Sequence, residues 1–483
     1  MMLANILTVL PEITIAISAL VVLLCDLMWG KAFPRLAYFL AQISLIVAAW
    51  ITLRQLYIKI DIGFGGQTVN NPFTFSLQIV IFLIAFFVFV YAKEYIEDRK
   101  LPQGEFYALA LLSILGAVVL TSAHSLLTVY IGLELLSLPL YALIAIRRGY
   151  AKGAEAAIKY FILGAISSGI LLFGMSYIYG ITGTIDLTEI GIYLSTAHAA
   201  HLDIVLIAMV FMLAAACFKL GAVPFHMWVP DVYEGSPNAV TAFLGTIPKI
   251  AAFAMLARFL LLAFPGQIYA WSHVIAVLAV ISIFLGNIVA LVQDNLKRLL
   301  GYSTISHIGF ILLAFLLHPD ALALTTSLYY VAVYALMAAA AFGLLIVLSV
   351  KGYEVEKLSD FAGLNRRNPW IAFLMLMVMF SMAGVPPFAG FFAKLFIIMG
   401  LVKEQAYVLA GYALIMSVIA SYYYVRVVKV MYFDDPKNQS PIYANKNTLV
   451  ALSLNALLIL ILGIFPGLLL NFIQPIYSLV ISG

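Results

Sequence analysis

The chain has 483 residues, of which 65% are apolar and only 10% are charged, and its formal net charge is +4. A soluble domain is about half apolar and about a quarter charged, so this chain lacks the polar residues that a water-facing surface needs. The composition excludes a soluble enzyme, a nucleic-acid-binding protein and a disordered chain, and it predicts a polytopic membrane protein.

The apolar residues form long continuous runs, which indicate helices. Strands of a membrane barrel alternate apolar, lipid-facing residues with polar, lumen-facing residues over about ten positions. A spanning helix instead needs about 20 mostly apolar residues. We therefore predict an all-α polytopic fold with about fourteen transmembrane spans. The spans lie at residues 4–28, 36–56, 72–92, 105–122, 125–145, 156–179, 203–223, 238–262, 270–292, 297–317, 321–350, 370–402, 406–432 and 447–472.

Lysine and arginine are distributed unevenly between the two sides of these spans. Of the 26 basic residues, loops after odd-numbered spans hold 19 and loops after even-numbered spans hold four, among them Arg258. Cytoplasmic loops of membrane proteins carry the excess of lysine and arginine. This distribution predicts that the odd-numbered loops are cytoplasmic and that both termini lie on the outer side.

Three lysines are left over from this count, and each lies in an apolar stretch of a predicted span: Lys219 in span 7, Lys249 in span 8 and Lys394 in span 12. An acidic residue in an apolar stretch, Glu134 in span 5, joins them. A charge near the bilayer centre costs at least ~2.5–3.5 kcal/mol, so such residues face a hydrated or paired interior. Burial moves the pKa of lysine and of glutamate toward neutrality, which suits a proton relay. Structural ion pairs, or lysines that extend to the membrane interface, are the alternative that these residues leave open.

Glycine and proline interrupt two of these spans beside a lysine. Gly221 and Pro224 follow Lys219, and Gly384 with the pair 386–387 precedes Lys394. Proline breaks a helix, and broken helices form ion sites at matching positions of the two repeats in transporters. We predict that spans 7 and 12 are discontinuous, although an ordinary proline kink would give a similar pattern.

The two interruptions also indicate an internal repeat. Pro224-Phe225 and Pro387-Phe388 lie 163 residues apart. Spans 4–8 and 9–13 then form two five-helix repeats, and the second is inverted because five is odd. The predicted segments are 1–104 with spans 1–3, 105–265 with the first repeat, 266–435 with the second repeat, and 436–483 with the last span.

Two histidines extend the set of candidates, because histidine titrates near neutral pH. His226 follows the first interruption and could pass protons from the cytoplasm, or it could cap a helix. His307 lies in span 10 and could join the relay, or it could be a hydrogen-bonded core residue. We expect Asp231 and Glu234 to order the loop after span 7. We expect the remaining histidines to be solvated: His124, His198, His201, His273 and His318.

The segment Phe225–Pro237, followed by Pro248–Phe253, Asn295–Ser303 and Gly390–Lys394, resembles the antiporter-like membrane subunits of respiratory complex I. It is most similar to their subunit N family. Related subunits and Mrp-type cation/proton antiporters share Trp-x-Pro-Asp but usually continue with an Ala-His-x-Glu-Ala-Pro-like run. This chain has Val-Tyr-Glu-Gly-Ser-Pro instead. The resemblance covers nearly the whole chain.

The resemblance implies a proton-translocating membrane subunit of NADH:quinone oxidoreductase in the bacterial inner membrane. In that family Glu134 would pair with Lys219, Lys249 would relay protons along a hydrated axis, and Lys394 would stand on the exit side. The partners would be the other membrane and peripheral subunits of complex I. An Mrp-type antiporter subunit and a non-pumping scaffold are the alternative functions.

The sequence predicts no cofactor in this chain. It contains neither a glycine-rich phosphate fingerprint nor a Walker A lysine, and its two cysteines, Cys25 and Cys217, lie in separate apolar runs. Neither cysteine is therefore expected in an iron–sulfur cluster. NADH, FMN, iron–sulfur clusters and quinone would all belong to partner subunits.

Overall fold

The computed structural model describes residues 7–55, 61–196, 202–317, 321–349, 353–436 and 445–473. These residues form a bundle of helices with one small antiparallel hairpin of β1 (Asp61–Gly63) and β2 (Thr68–Asn70). The helices are α1 (Leu10–Trp29), α2 (Leu36–Gln55), α3 (Pro72–Asp98), α4 (Gln103–Ser122), α5 (Leu126–Ile144), α6 (Ala151–Thr182), α7 (Leu187–Thr196), α8 (Leu202–Leu220), α9 (Trp228–Gly235), α10 (Asn238–Leu244), α11 (Ile247–Arg258), α12 (Ile268–Leu291), α13 (Leu296–Ala314), α14 (Ala321–Leu348), α15 (Leu364–Arg367), α16 (Pro369–Ala383), α17 (Ala389–Lys403), α18 (Tyr407–Phe433), α19 (Lys446–Ile464) and α20 (Gly467–Ile473).

Within the described residues, twelve helices are long and apolar enough to cross a membrane. They are Leu10–Trp29, Leu36–Gln55, Pro72–Asp98, Gln103–Ser122, Leu126–Ile144, Ala151–Thr182, Leu202–Leu220, Asn238–Ala263, Pro265–Leu291, Leu324–Leu348, Tyr407–Phe433 and Lys446–Ile464. Many large apolar side chains on the peripheral helices are exposed, as lipid contact requires. The chain is an integral, multi-pass membrane protein.

Two predicted spans differ from these twelve helices. The predicted span 297–317 overlaps α13 (Leu296–Ala314), which has Lys297 and Arg298 in its first turn and carries several polar side chains, so it is less apolar than the others. Residues 370–402 form two shorter helices, α16 and α17, rather than one. The predicted count of fourteen therefore stays a prediction.

The centre of the bundle is formed by α10, α11 and α14. Every residue of α10 and of α11 is buried. Helix α14 packs against α3, α11, α13, α17 and α19, so it contacts both halves of the chain. Lys249 on α11 therefore lies deep inside the protein and away from its lipid-facing surface.

The interruptions of spans 7 and 12 are present in the structure. The first separates the end of α8 from the start of α9, and the second separates α16 from α17. Gly221 and Gly384 both follow the helix end with φ of 86°, in the left-handed region that favours glycine. Cis peptide bonds precede Pro224 in the first interruption and Pro387 in the second.

Candidate functional site

The three lysines predicted inside the membrane are all buried, with exposed fractions of 2% for Lys219, 1% for Lys249 and 5% for Lys394. Lys219 is the penultimate residue of α8, Lys249 lies in the first turn of α11, and Lys394 lies in α17. Each ammonium group therefore has to find its partners inside the protein.

Lys219 contacts α5 through a hydroxyl group. Its Nζ donates to Ser137 Oγ at 2.8 Å. Glu134 lies three residues earlier on the same face of α5 and interacts electrostatically with Lys219. In the described part of the chain, however, no ion pair within 4.0 Å joins the two. The structure thus brings Glu134 near Lys219, but Ser137 takes the direct contact.

Lys249 lies against the end of α8. Its Nζ donates to the main-chain oxygen of Lys219 at 3.1 Å and to that of Leu220 at 2.8 Å. The ammonium group also lies over the Trp228 ring, 4.5 Å from the ring centre. Lys249 therefore connects α11 directly to the interruption that follows Lys219.

The carbonyl groups at the end of α8 are all satisfied by this arrangement. The oxygen of Cys217 accepts from the amides of Gly221 and Ala222, and the oxygen of Phe218 accepts from the Trp228 indole at 2.9 Å. The last two carbonyls would remain unpaired without Lys249, because no helix turn follows to supply amides. The negative end of the helix dipole favours a cation at the same place.

Lys394 repeats this arrangement at the second interruption. Its Nζ donates to the main-chain oxygens of Met382 at 3.1 Å and Ala383 at 3.0 Å, which are the last two residues of α16. A third bond goes to Ser417 Oγ on α18 at 3.1 Å. At both interruptions, the preceding helix therefore ends in a pair of carbonyls that a buried lysine binds.

His307 belongs to a buried polar cluster between the two interruptions. Its Nδ1 lies 2.8 Å from the hydroxyl of Tyr330 and its Nε2 lies 3.1 Å from that of Tyr424. The hydroxyl of Tyr334 donates to the Gly245 carbonyl at 2.9 Å, just before α11. His307 also interacts electrostatically with Lys394. The cluster thus connects the start of α11 with the second lysine site.

Comparison with known proteins identifies the family of this chain. Residues 123–420 match the family described as NADH:quinone oxidoreductase/Mrp antiporter, TM. The NADH-quinone oxidoreductase subunit N of Francisella tularensis subsp. holarctica is 50% identical over 480 residues, which cover 99% of this chain and 99% of that protein. The chain belongs to the NADH-quinone oxidoreductase subunit N family.

Two solved complexes contain chains of similar fold. A chain of respiratory complex I from Thermus thermophilus, solved with bound aureothin, is 30% identical with a TM-score of 0.81, covering 95% of this chain and 98% of its own length. A chain of the Mrp complex from Dietzia sp. gives a TM-score of 0.85 at 20% identity, covering 99% of this chain and 97% of that one. The second likeness shows the fold alone.

His226 lies half-buried in the first interruption, where its Nδ1 is enclosed without a hydrogen-bond partner. It is not in contact with the lysines through any hydrogen bond of the described residues. The predictions for His198, His201 and His318 fall outside the described residues. His273 is exposed, as predicted.

Two predictions from the sequence are wrong. His124 is not solvated: it is 6% exposed, and its Nε2 lies 3.2 Å from Asp186 Oδ2. Arg258 is not in a loop but is the last residue of α11, 3% exposed. The apolar residues on both sides of Arg258 were the signal, since a solvated loop rarely has that composition.

Sequence reasoning also missed two buried charged residues. Glu12 on α1 accepts hydrogen bonds from Ser122 at 2.9 Å and Gln78 at 3.2 Å. Lys297 donates to the Ser236 carbonyl at 2.7 Å and is 2% exposed. Both lie near the end of an apolar helix, where a charge looks like an ordinary terminal residue.

Asp231 and Glu234 on α9 form the ion-pair network that the sequence predicts to order this region. Asp231 contacts Lys159 and Arg298, at 2.9 and 2.8 Å, and Glu234 contacts Lys152 and Arg298, at 2.8 and 2.9 Å. Burial opposes their ionisation, but the hydrogen bonds from these cations outweigh it and lower the pKa of both carboxyl groups. We call the network of Lys152, Lys159, Asp231, Glu234 and Arg298, together with the helix ends beside it, the basic end.

Among the residues that the structure describes, no cluster of three or more histidine, cysteine, aspartate or glutamate side chains could hold a metal ion. The site instead consists of buried ammonium, carboxyl, imidazole and hydroxyl groups on neighbouring helices. These groups can bind, release and pass protons.

Proposed function

We propose that this chain is a proton-translocating membrane subunit of an NADH:quinone oxidoreductase, and that it moves protons through Glu134, Lys219, Lys249 and Lys394. Relatives at 43% to 50% identity carry the name NADH-quinone oxidoreductase subunit N. In this proposal the chain holds no redox centre, and the electron carriers belong to partner subunits.

The contact between Lys249 and the end of α8 is the observation that carries the proposal. The ammonium group of Lys249 lies 3.1 Å from the main-chain oxygen of Lys219, so two proton-binding side chains share one interrupted helix. A movement at that interruption changes the surroundings of both groups together. Proton transfer and helix movement are thereby coupled.

The proposed mechanism starts at Glu134. Energy from quinone reduction reaches this chain through neighbouring subunits and changes the distance between Glu134 and Lys219. Moving the carboxylate away removes a counter-charge and favours release of the proton from Lys219. The proton passes to Lys249, then by way of the His307 cluster to Lys394, and leaves on the outer side. His226 supplies protons from the cytoplasmic side.

The finer topology is part of the proposal. Helix α13 and the pair α16–α17 would complete fourteen spans, with both termini outside and the basic end in the cytoplasm. Spans 4–8 and 9–13 would be inverted repeats within segments 105–265 and 266–435, flanked by 1–104 and 436–483. The similar lysine sites at the two interruptions support this layout.

The test is proton pumping by complexes that carry single substitutions, reconstituted into vesicles. Lys219→Ala and Glu134→Ala should strongly reduce pumping per NADH oxidised while the complex still assembles. Lys249→Gln should do the same, because an amide can donate to both carbonyls but cannot carry an exchangeable charge. Lys446→Ala, an exposed lysine at the start of α19, is the matched control. Normal pumping in all three variants would refute the relay.

An Mrp-type cation/proton antiporter subunit is the second candidate, because the fold of that complex is shared. The Val-Tyr-Glu-Gly-Ser-Pro run at 232–237 is the feature against it. Sodium-dependent proton flux from the chain without NADH oxidation would favour this candidate.

A further inference from the structure

A cavity of about 300 Å³ lies at the end of the bundle opposite the basic end, where α4 and α11 end and α5 begins. Its lining includes Ile62, His124, Asp186, Glu189 and Arg258. Ile62 is 55% exposed and Glu189 is also exposed, so the cavity reaches the protein surface. In the proposed orientation it opens to the outer medium, and we call it the outer cavity.

Arg258 brings an unpaired positive charge to this cavity. Its Nη2 donates to Thr74 Oγ1 at 3.0 Å, and its Nε and Nη2 also bond the main-chain oxygen of Thr121. These partners are neutral, and no carboxylate of a described residue lies within 4.0 Å of the guanidinium group. Its Nη1 has no hydrogen-bond partner in the described ranges. Arginine stays protonated even where burial is unfavourable.

The carboxylates around Arg258 hydrogen-bond to other groups. Glu189, which also lines the cavity, accepts from the hydroxyl of Thr184. Asp186 is engaged with His124 at 3.2 Å and with the amides of Thr188 and Glu189 at 2.8 and 3.0 Å. Glu12, behind Ser122, accepts from that hydroxyl and from Gln78 rather than from the guanidinium group. A cation that enters the cavity therefore meets a fixed positive charge at the side that leads into the protein.

Behind Arg258, helix α11 is entirely apolar back to Lys249. The eight residues 250–257 between them are apolar, and none is more than 1% exposed. From Lys249 to Arg258 the helix rises about 14 Å. Phe253 lies at its middle and packs against Phe73 and Phe315, with ring centres 6.4 and 5.5 Å apart. Such a segment offers water few partners.

We propose that Arg258 and the phenylalanine cluster of Phe73, Phe253 and Phe315 form a barrier that closes Lys249 to the outer medium. The guanidinium charge repels hydronium ions, and the apolar segment behind it interrupts any water chain. A proton on Lys249 then stays within the relay and can pass along the membrane toward Lys394. This inference rests on the proposed function, since a closed side is required only if Lys249 carries protons.

The barrier predicts a proton leak when Arg258 is neutralised. Purified NADH:quinone oxidoreductase carrying Arg258→Met is placed in vesicles without NADH, and proton entry is measured under an imposed potassium diffusion potential. The leak should rise on the order of tenfold over the wild-type complex, the factor that about 1.4 kcal/mol of lost barrier gives. Vesicles with Arg258→Lys should leak protons no faster than vesicles with the wild-type complex.

The double variant Arg258→Met/Lys249→Gln separates a leak through the relay from general damage. Its proton leak should return to the wild-type rate, because a leak past Arg258 needs Lys249 as its next proton acceptor. Arg258→Met vesicles as tight as the wild type would overturn the barrier, and so would a leak that persists in the double variant.

A second pair of variants covers the case in which Arg258→Met does not assemble. Phe253→Ala opens the apolar segment without touching Arg258 and should also leak, whereas Phe253→Leu should not. Equal proton leaks of Phe253→Ala and Phe253→Leu would overturn the proposed barrier. Pumping by Lys249→Gln is measured in the same vesicles. Lost pumping with tight Arg258→Met vesicles leaves the relay standing, whereas normal pumping by Lys249→Gln, Lys219→Ala and Glu134→Ala refutes the relay itself.

Discussion

The ammonium groups of the buried lysines have neutral partners. Lys249 and Lys394 each bond two main-chain carbonyls, and Lys219 bonds the hydroxyl of Ser137. A carboxylate partner would strongly favour the charged lysine, whereas dipolar partners leave the charged and neutral forms closer in free energy. Such a site suits a group that gains and loses a proton in every cycle.

Gly384 should be intolerant of a side chain. It has φ of 86°, and an added Cβ would lie 3.1 Å from Lys394 Cδ. Gly384→Ala therefore strains the backbone, by about 1 kcal/mol or more, and displaces the lysine from the end of α16. We expect a lower melting temperature of the complex and weaker proton pumping.

Gly411→Ala is the matched control, because this glycine lies in α18 with open space around its Cβ position. Alanine there should be neutral or slightly stabilising, since it favours the helix. Equal pumping and equal melting temperatures for the two variants would contradict the role given to Gly384.

The sequence identified the charged residues of the site but not their partners. Glu134 and the three lysines stand out because a charge inside an apolar run is rare. The bonds of Lys249 to carbonyls of α8 join residues about 30 positions apart, and main-chain partners leave no trace in residue types. Arg258 was misplaced because it lies near a span end, where a loop residue and a buried one look alike.

At the scale of helices, twelve of the fourteen predicted spans match apolar helices of the described residues, whereas the helix ends were predicted poorly. Helices α3 and α6 extend to Asp98 and from Ala151, beyond the apolar runs, because charged side chains there reach solvent and pair. The short helix α9 was not predicted. Four of its eight residues are charged or aromatic, and they point to the basic end and the core, so no apolar periodicity marks it.

The ion pairs of the basic end should stabilise the folded protein less at low pH. The pKa values of Asp231 and Glu234 are lowered in the folded protein, so their ion pairs stabilise it fully above the ordinary values of 3.8 and 4.5. This contribution is lost as the pH falls through the lowered values, because the protonated carboxyl groups no longer attract the cations.

Melting temperatures of the wild-type complex and of Arg298→Gln, measured over this pH range, test the expectation. The variant should melt lower at neutral pH, and the difference should shrink in acid. A difference that is constant with pH would show that Arg298 acts through packing rather than through the two carboxylates.

At the scale of the whole molecule, the chain is one membrane-embedded bundle with two similar interruptions on either side of a buried polar cluster. Helix α14 supplies Tyr330 and Tyr334 to that cluster and packs against helices of both halves. The outer surfaces of the peripheral helices are apolar and suit lipid or neighbouring subunits.

The chain should migrate with a large respiratory assembly. Native electrophoresis of gently solubilised source membranes, probed for this chain, should place it in a band of NADH dehydrogenase activity, because its relatives are named as subunits of that enzyme. Migration in a smaller, inactive assembly would instead favour the antiporter candidate and would call for a sodium-flux measurement.

The carbonyl partners of Lys249 and Lys394 have one more consequence. Main-chain oxygens cannot titrate, so these partners do not compete with the lysine for the proton. The affinity for the proton then depends on how closely two helix ends approach an ammonium group, which is a mechanical quantity. A displacement of a few tenths of an ångström in a helix end becomes a change in chemical potential. In the proposed relay, a helix movement would thus drive proton transfer without a redox reaction inside this chain.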